Sequence, residues 1–446
     1  MMKIAPIVVA VGVLAGALTF QVRANEMVIT DKVITWAVTH PELAEIFGHP
    51  FTAEGQAHRK KTFVAWTAEK FATDMLAVQP TVVHGLDGEI IAHAYGWIVR
   101  STDEGRSWEG VSAVNLVTTV PEGMKYMQSR MSGCGVTKKG TILVQSCLQY
   151  NDGRKYEGLS DPSYRTVLYI HRSTDGGRTW HEPIRLNRGP TENAGGHSTR
   201  LFRLPGNRMG LAMGSFFQSD DGKPLPKAKR VEYLYIWTSE DDGQSWQRMS
   251  EPMCRHGAEP DVLVLPSGRY LAAVRYQRPK KASDPADLVS PHLMRGDKPP
   301  YTRSKALASG FVARVTTIIH SDDQGKTWSK PRFVTGFDEQ TGCLVRLSDG
   351  TIILVFGYKT DTRGQRFMIS YDDGQTWSRT VFALHEGGQY ASSIVLKDDT
   401  ILTVIHDGPK NRLHSLRWRA PSREQVSAGG FWRPRLAEPL GVPAGG

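Results

Sequence analysis

The chain has 446 residues, of which 40% are hydrophobic and 22% charged, a composition that excludes a disordered or collagen-like protein. Its 4 cysteines exclude a small disulfide-dense scaffold. The formal net charge is +10, but the basic residues are scattered, and no run of them is typical of a nucleic-acid-binding arm. We therefore expect no nucleic-acid partner. We interpret the charge either as an aid to solubility or as an attraction for an anionic ligand such as an acidic sugar.

The N-terminus has the pattern of a secretory signal peptide. A short positive start, Met1 to Lys3, precedes residues 4–20, which carry no charge and are mostly apolar. Small residues follow where a signal peptidase cleaves, so we predict that residues 1–24 are removed. The mature protein would then be secreted or periplasmic, without a stable membrane span. The alternative is an uncleaved anchor, because residues 4–20 are just long enough to cross a bilayer.

Five copies of one pattern, Ser-x-Asp-x-Gly-x-(Ser/Thr)-Trp, follow along the chain. They lie at residues 101–108, 173–180, 239–246, 321–328 and 370–377. In such a turn the aspartate accepts hydrogen bonds from backbone N–H groups, the glycine supplies a positive φ, and the tryptophan buries a large apolar area. We therefore interpret the five aspartates as structural residues: Asp103, Asp175, Asp241, Asp323 and Asp372.

Apolar hairpins alternate with these turns. The six predicted hairpins span residues 81–92, 136–144, 201–213, 262–273, 344–355 and 394–404. Each repeat therefore supplies four antiparallel strands, and six such sheets predict an all-β, six-bladed β-propeller at residues 79–419. Residues 25–78 contain a strand-like stretch that we expect to close the ring on the last blade. The Pro- and Gly-rich residues 420–446 are expected to form a flexible tail.

Propeller geometry predicts where a ligand site lies. The first strand of each blade begins, and the second ends, at one mouth of the central channel, whereas the repeated turns lie on the opposite face. Counting outward from the hairpin turns places these residues at the mouth: Gln79, Tyr95, Gln149, Tyr150, His197, Arg200, Glu259, Asp261, Arg275, Gln340, Tyr358, Tyr390, His406 and Asp407. A concave mouth of polar and aromatic residues suits a glycan or an acidic sugar. We predict substrate contacts for Gln79, Tyr95, Asp261, Tyr358 and Asp407.

The repeated pattern resembles the Asp-box, or bacterial neuraminidase repeat, of the sialidase superfamily, and the resemblance extends from Gln79 to Trp418. It implies a propeller fold and, less specifically, glycoside hydrolysis. Members of that family use a tyrosine nucleophile activated by a glutamate, and arginines that grip the substrate carboxylate. On the matching segments the nucleophile is Tyr390, its base is Glu259, and the arginines are Arg275 and Arg366, with Arg363 as the competing choice.

Two parts of the family pattern are missing. Gln79 and Pro80 stand where the first arginine of the family is expected. Residues 95–100 run directly into the first repeated turn, which leaves no loop for the aspartate that acts as the acid. A substitute acid is therefore required, and we predict His197, at a strand mouth, for this role.

Two further functions stay open on the sequence. A histidine and a tyrosine at the mouth fit a lyase or hydrolase of uronic-acid polysaccharides, and the missing residues also fit a non-catalytic glycan-binding propeller. The histidines show no metal-ligand spacing, and no P-loop or dinucleotide fingerprint occurs, so we expect neither a metal nor a cofactor. The 4 cysteines form either two disulfides or buried thiols.

Overall fold

The computed structural model describes residues 63–151, 164–186, 192–195, 200–217, 232–249, 251–276, 315–335, 339–358, 363–433 and 435–436. Most strands in these ranges form six mainly antiparallel sheets, one for each predicted hairpin. This arrangement confirms the predicted all-β, six-bladed propeller. The predicted signal peptide and His197 lie outside the described residues. No helix of the described ranges is long and apolar enough to cross a membrane.

The strands are numbered along the chain. Two strands precede the blades: β1 (Phe63–Ala65) and β2 (Glu69–Leu76). Blade one contains β3 (Thr81–His84), β4 (Ile90–Ala94), β5 (Trp97–Ser101) and β6 (Glu109–Ala113). Blade two contains β7 (Lys125–Val136), β8 (Ile142–Asn151), β9 (Tyr164–Ser173) and β10 (Ile184–Arg185). Blade three contains β11 (Glu192–Gly195), β12 (Phe202–Arg203), β13 (Met209–Phe217), β14 (Glu232–Ser239), β15 (Gln247–Arg248) and β16 (Cys254–Arg255).

The second half continues in the same order. Blade four contains β17 (Gly257–Val264), β18 (Tyr270–Tyr276), β19 (Val315–Ser321) and β20 (Arg332–Phe333). Blade five contains β21 (Glu339–Arg346), β22 (Ile352–Tyr358), β23 (Gly364–Ser370) and β25 (Val381–Glu386), with β24 (Trp377–Ser378) beside it. Blade six contains β26 (Gln389–Val395), β27 (Ile401–Asp407) and β28 (Arg412–Trp418). A short helix, α1 (Arg423–Ser427), and strands β29 (Phe431–Trp432) and β30 (Arg435–Leu436) follow.

The core lies between the blades. Inner strands are covered on both faces: β18 and β22, for example, are buried at every position, which is why their sequences are mostly apolar runs. Val355 and Phe367 of blade five, for example, pack in one cluster with Ile401 and Ile405 of blade six. Burial of these faces at about 25 cal/mol per Å² is the main force that holds neighbouring blades together.

The repeated turns are closed by a fixed set of hydrogen bonds. In the first turn, Ser101 Oγ donates to Asp103 Oδ1 at 2.8 Å, and the Gly105 N–H donates to Ser101 Oγ at 2.8 Å. Asp103 also accepts from the N–H of Ser107 at 2.9 Å and from its hydroxyl at 2.6 Å. The same contacts recur around the other four aspartates. Burial acts to raise the pKa of Asp103, but the hydrogen bonds outweigh it and lower that pKa to about 2.

The N-terminal strands join the last two blades. Strand β2 pairs with β28 in antiparallel fashion and is therefore the fourth strand of blade six. Strand β1 pairs in parallel with β25 of blade five. Blade six therefore combines a strand from the beginning of the described chain with three strands from near its end, and this combination closes the ring.

The described part of the segment 420–446, for which the sequence predicts a flexible tail, packs against the face that carries the repeated turns. Helix α1 is capped by Ser422, and its Val426 is fully buried in the cluster between blades five and six. Strand β29 pairs with β24, and β30 pairs with β20 of blade four.

All four cysteines are buried free thiols. Cys134 lies opposite Val144 in the blade-two hairpin, whereas Cys147 lies opposite Arg130, so these two cysteines do not face each other. The alternative of buried thiols therefore applies, and the disulfides are not formed.

Candidate functional site

Four blades place one residue each at equivalent positions around the channel mouth. These residues are Gln79, Glu259, Thr341 and Tyr390, which we call the mouth ring, and each stands five positions before the end of its first strand. All four have a positive φ, between 44° and 62°. In blades four, five and six, a β-bulge interrupts the strand at this point. A bulge re-aims its side chain and recurs at functional sites, and positive φ is uncommon outside glycine.

The blade-four member of the ring is held in a buried ion pair. The Glu259 carboxylate is 2% exposed, and its Oε1 lies 2.5 Å from Nη1 of Arg275. Its Oε2 accepts a hydrogen bond from the Thr341 hydroxyl at 2.5 Å. A buried carboxylate stays ionised only when it is paired in this way. The structure thus brings Glu259 and Arg275 together, and the guanidinium of Arg275 is already paired with a carboxylate of the protein itself.

Arg366 lies deeper, in the sheet of blade five. Its Nη1 donates to the backbone oxygens of Gln365 at 3.0 Å and His385 at 3.2 Å. Its guanidinium stands 5.2 Å from the ring centroid of Tyr358, within cation–π range. Burial lowers the pKa of Arg366, although Tyr358 and two nearby glutamates act in the opposite direction. The predicted pair Arg366 and Tyr358 is therefore brought together, with the arginine almost fully buried.

Tyr390 stacks on a histidine that links blades six and one. The rings of Tyr390 and His406 are 5.7 Å apart at an interplanar angle of 28°. The Gln79 N–H donates to Nδ1 of His406 at 3.3 Å. Because Nδ1 accepts this bond, the proton of the neutral imidazole is assigned to Nε2. His406, which stacks on the predicted nucleophile Tyr390, therefore carries its proton on Nε2.

A second ion pair crosses the channel from blade three. Arg200 bonds both oxygens of Asp261, with Nε to Oδ1 at 2.8 Å and Nη2 to Oδ2 at 2.9 Å. It also donates to the backbone oxygens of Leu344 in blade five and Ser393 in blade six. The Leu344 N–H donates to Asp261 Oδ2 at 2.7 Å. Through these contacts Asp261 and Arg200 connect four blades, and the substrate-binding role of Asp261 stays a prediction.

Asp407 faces blade five. Its Oδ2 lies 2.7 Å from Lys70 Nζ, 2.8 Å from His385 Nε2 and 3.4 Å from His414 Nδ1. Burial acts to raise the pKa of Asp407, but the bonds from Lys70 and His385 hold it well below its usual range. Because Lys70 lies on β2, this carboxylate fastens the closing strand to the ring. The substrate-binding role of Asp407 stays a prediction.

The comparisons with known proteins agree with this architecture. The BNR/Asp-box repeat model matches residues 319–330, around the fourth repeated turn. A solved structure from Dyadobacter fermentans, of unknown function, is 18% identical and has a TM-score of 0.56, with 79% of this chain and 98% of that chain covered. The chain thus contains an Asp-box repeat and has a fold similar to that of a sialidase. The Hadza microbial sialidase Hz136 is 19% identical with a TM-score of 0.51, over 78% of this chain and 66% of that one. No curated protein sequence matches the chain significantly.

Of the other predicted site residues, one lies apart from the described cluster and one lies outside the described residues. Tyr95 lies in the turn between β4 and β5 and is 61% exposed at the rim. His197 lies outside the described residues. No group of three His, Cys, Asp or Glu side chains in the described ranges could hold a metal ion.

The sequence places Arg200 and His406 at the mouth without a function, and it gives no indication of Thr341. The position of His406 follows from counting outward along the blade-six hairpin, where it pairs with Gln389. The partners of Arg200 and Thr341 are on other blades, and no local pattern indicates such contacts.

Proposed function

We propose that this Asp-box protein is a secreted or periplasmic glycan-acting enzyme, a sialidase-like glycoside hydrolase with an atypical site. The mouth ring carries this proposal, because it places a tyrosine, a hydroxyl and an ionised glutamate at equivalent positions of successive blades. The predicted signal peptide supports export. The similarity to a solved sialidase supports the fold on which such a site would be built.

The proposed reaction proceeds in two steps. Tyr390 Oη attacks the anomeric carbon, and the bond from that carbon to the leaving oxygen breaks. The phenol proton passes to Glu259 through the Thr341 hydroxyl, which stands between them in the ring, while the leaving oxygen accepts a hydrogen bond from Nε2–H of His406 and takes its proton from solvent. A water molecule then attacks the anomeric carbon and breaks its bond to Tyr390 Oη. Glu259 returns the phenol proton to the tyrosine through Thr341, and the surplus proton of the water passes to solvent. A neutral phenol suits an anionic sugar because a carboxylate nucleophile would repel it.

The arginines define the proposed substrate. A substrate carboxylate would share Arg275 with Glu259, because this guanidinium is already paired at 2.5 Å. Arg366 is buried below the mouth, and Gln79 replaces the first arginine of the family pattern. Bidentate arginine pairing provides much of the affinity for a carboxylate. We therefore expect binding of an acidic sugar that is weaker than a complete arginine triad would give.

A second candidate is a lyase for uronic-acid polysaccharides, because Tyr390 and His406 form a stacked His/Tyr pair. In β-elimination the histidine would remove a carbon-bound proton, and it would need a free lone pair on Nε2. The bond from the Gln79 N–H to Nδ1 favours the opposite tautomer. This contact supports the hydrolase more than the lyase.

The experiment is an activity panel with the purified mature protein. The panel holds an aryl sialoside, aryl hexosides and deoxyhexosides, and acidic polysaccharides monitored for the ultraviolet absorbance of an unsaturated uronide. We expect aryl release from an acidic glycoside, abolished in Tyr390→Phe. Tyr270→Phe is the matched control, because its buried hydroxyl has no partner among the described residues and lies at the other end of its blade. New ultraviolet absorbance would replace the hydrolase by the lyase, and a folded but silent protein would favour a binding propeller.

A further inference from the structure

A row of three residues crosses blade five close to the mouth. Gln340 on β21 pairs with Gly357 on β22, which pairs in turn with Gln365 on β23. Directly paired residues share one face of a sheet. Cys343, further along the same face of β21, accepts a hydrogen bond from the Ser393 N–H of blade six at 3.3 Å. The row therefore faces blade six.

The two glutamines of this row are buried without partners. Both residues have 0% exposure. The nitrogen and the oxygen of each side-chain amide lack a hydrogen-bond partner among the described residues. Buried amides are almost always hydrogen-bonded in native proteins, because an unmade bond leaves the whole desolvation cost uncompensated. Two such amides on one face of the sheet indicate that a group other than the described protein atoms forms their hydrogen bonds.

The glycine between them leaves unfilled space. A Cβ placed on Gly357 would have a single heavy atom within 4 Å, the backbone oxygen of Gln340 at 3.4 Å. Gly342, on the neighbouring strand, is different: a Cβ there would lie 2.7 Å from Leu354 and 2.9 Å from Thr316. Packed interiors rarely leave such gaps. The space over Gly357 therefore lies between the two unpartnered amides.

The space over Gly357 lies next to the mouth ring. Gln340 directly precedes Thr341 of the mouth ring. On the other side of the row, His385 pairs with Gln365 and bonds Asp407. The amides are neutral and offer both donors and acceptors, so they suit a neutral group that does both. A charged group would lose its hydration there without a counter-charge from the amides.

We infer that blades five and six enclose a polar cavity over Gly357 that binds a small neutral group able to donate and accept hydrogen bonds. Two sources have this chemistry: ordered water, and a hydroxyl or acetamido arm of a glycan in the mouth. The second source rests on the proposed function, whereas the first does not. A buried water typically makes about three hydrogen bonds, which the two amides can supply.

Stability measurements on the ligand-free protein test the cavity. Gln340→Met and Gln365→Met remove one amide each at nearly constant volume. If one occupant bridges both amides, each variant leaves a buried group unpaired and lowers Tm by about 1–4 °C, and the double variant loses less than the sum. A dry cavity predicts the reverse, because each methionine would remove an unpaired amide. An additive rise of Tm in both variants overturns the proposal.

A glycine pair tests whether the occupant lies over Gly357. The methyl of Gly357→Ala would enter the space that the occupant fills, so it should displace the occupant and lower Tm by about 1–4 °C, and this loss should not add to that of Gln340→Met. Gly342→Ala is the matched control, because its methyl would meet Leu354 and Thr316 instead, and its loss of Tm through overpacking should add to that of Gln340→Met. An unchanged or raised Tm in Gly357→Ala would show that the space is empty and would overturn the proposal.

Crystals grown with and without N-acetylneuraminic acid distinguish the two sources. Density for a water within about 2.7–3.2 Å of both amides in the ligand-free crystal supports water as the occupant. Its replacement by a sugar oxygen or nitrogen supports the glycan arm. Empty density in both crystals overturns the proposal. The ligand-free measurements need no activity, so they stand even if the proposed hydrolase function fails.

Discussion

The ion pair between Arg200 and Asp261 allows a quantitative prediction about stability. Asp261→Asn keeps the shape of the side chain but removes its charge, and it leaves the Arg200 guanidinium, whose side chain is only 12% exposed, without a counter-ion. Breaking a buried pair from one side costs about 3–5 kcal/mol, because the other charge remains desolvated. Burial opposes the charged form of Arg200, and Asp261 holds its pKa above the ordinary value. Arginine is not deprotonated in proteins, so the variant cannot relieve the lost pairing by losing a proton.

The expected shift in Tm follows from the size of the propeller. At about 2.1 cal/mol/K per residue, a propeller of about 340 residues has an unfolding entropy near 0.7 kcal/mol/K. A loss of about 3–5 kcal/mol then lowers Tm by about 4–7 °C. Urea unfolding followed by tryptophan fluorescence measures the free energy of unfolding, and calorimetry measures Tm.

A matched control separates the effect of burial on stability from the effect of removing a charge. Asp322 pairs with Arg269 at 2.6 Å through a similar two-point contact, but its side chain is 59% exposed. Asp322→Asn should therefore change stability by less than about 1 kcal/mol. If Asp261→Asn is no more destabilising than Asp322→Asn, the channel-crossing pair is not the structural lock inferred here.

Three further predictions concern acid, ring closure and the C-terminal segment. Burial lowers the pKa of His93 and of His171 to about 4. In the unfolded chain the same histidines have pKa values near 6.5, so the unfolded state binds more protons than the folded state between pH 6.5 and 4. The free energy of unfolding therefore falls as pH falls through this window, by about 2 kcal/mol per histidine at pH 5. Urea unfolding should show a smaller loss on acidification in His93→Gln than in the wild type. Asp407→Asn should release Lys70 and expose β2 to limited proteolysis at lower temperature than in the wild type, and unchanged cleavage would contradict this role. Val426→Ala should cost about 1.5–3 kcal/mol in urea unfolding, whereas a truly loose tail would give no change.

The sequence alone determined the architecture, because the features that define it are local. Each repeated turn is closed by bonds between residues four or fewer positions apart, such as Ser101 with Asp103 and Gly105. The hairpins likewise pair neighbouring segments, so the number of blades and the face that carries the turns follow from counting. The contact of Glu259 with Arg275 lies within reach of the same reasoning, because their strands form one hairpin.

Only the tertiary structure decided which neighbouring blade each mouth residue contacts. His406 and Asp407 are neighbours at the end of β27, yet the first contacts Gln79 of blade one and the second contacts His385 of blade five. Successive strand residues point to opposite faces of the sheet, and a bulge shifts that alternation by one position. An error of one residue in the predicted position of a bulge therefore assigns every following side chain to the wrong face. Asp261 meets Arg200 across the channel for a related reason: contacts between blades depend on how six sheets pack around one axis, and no local pattern records that packing.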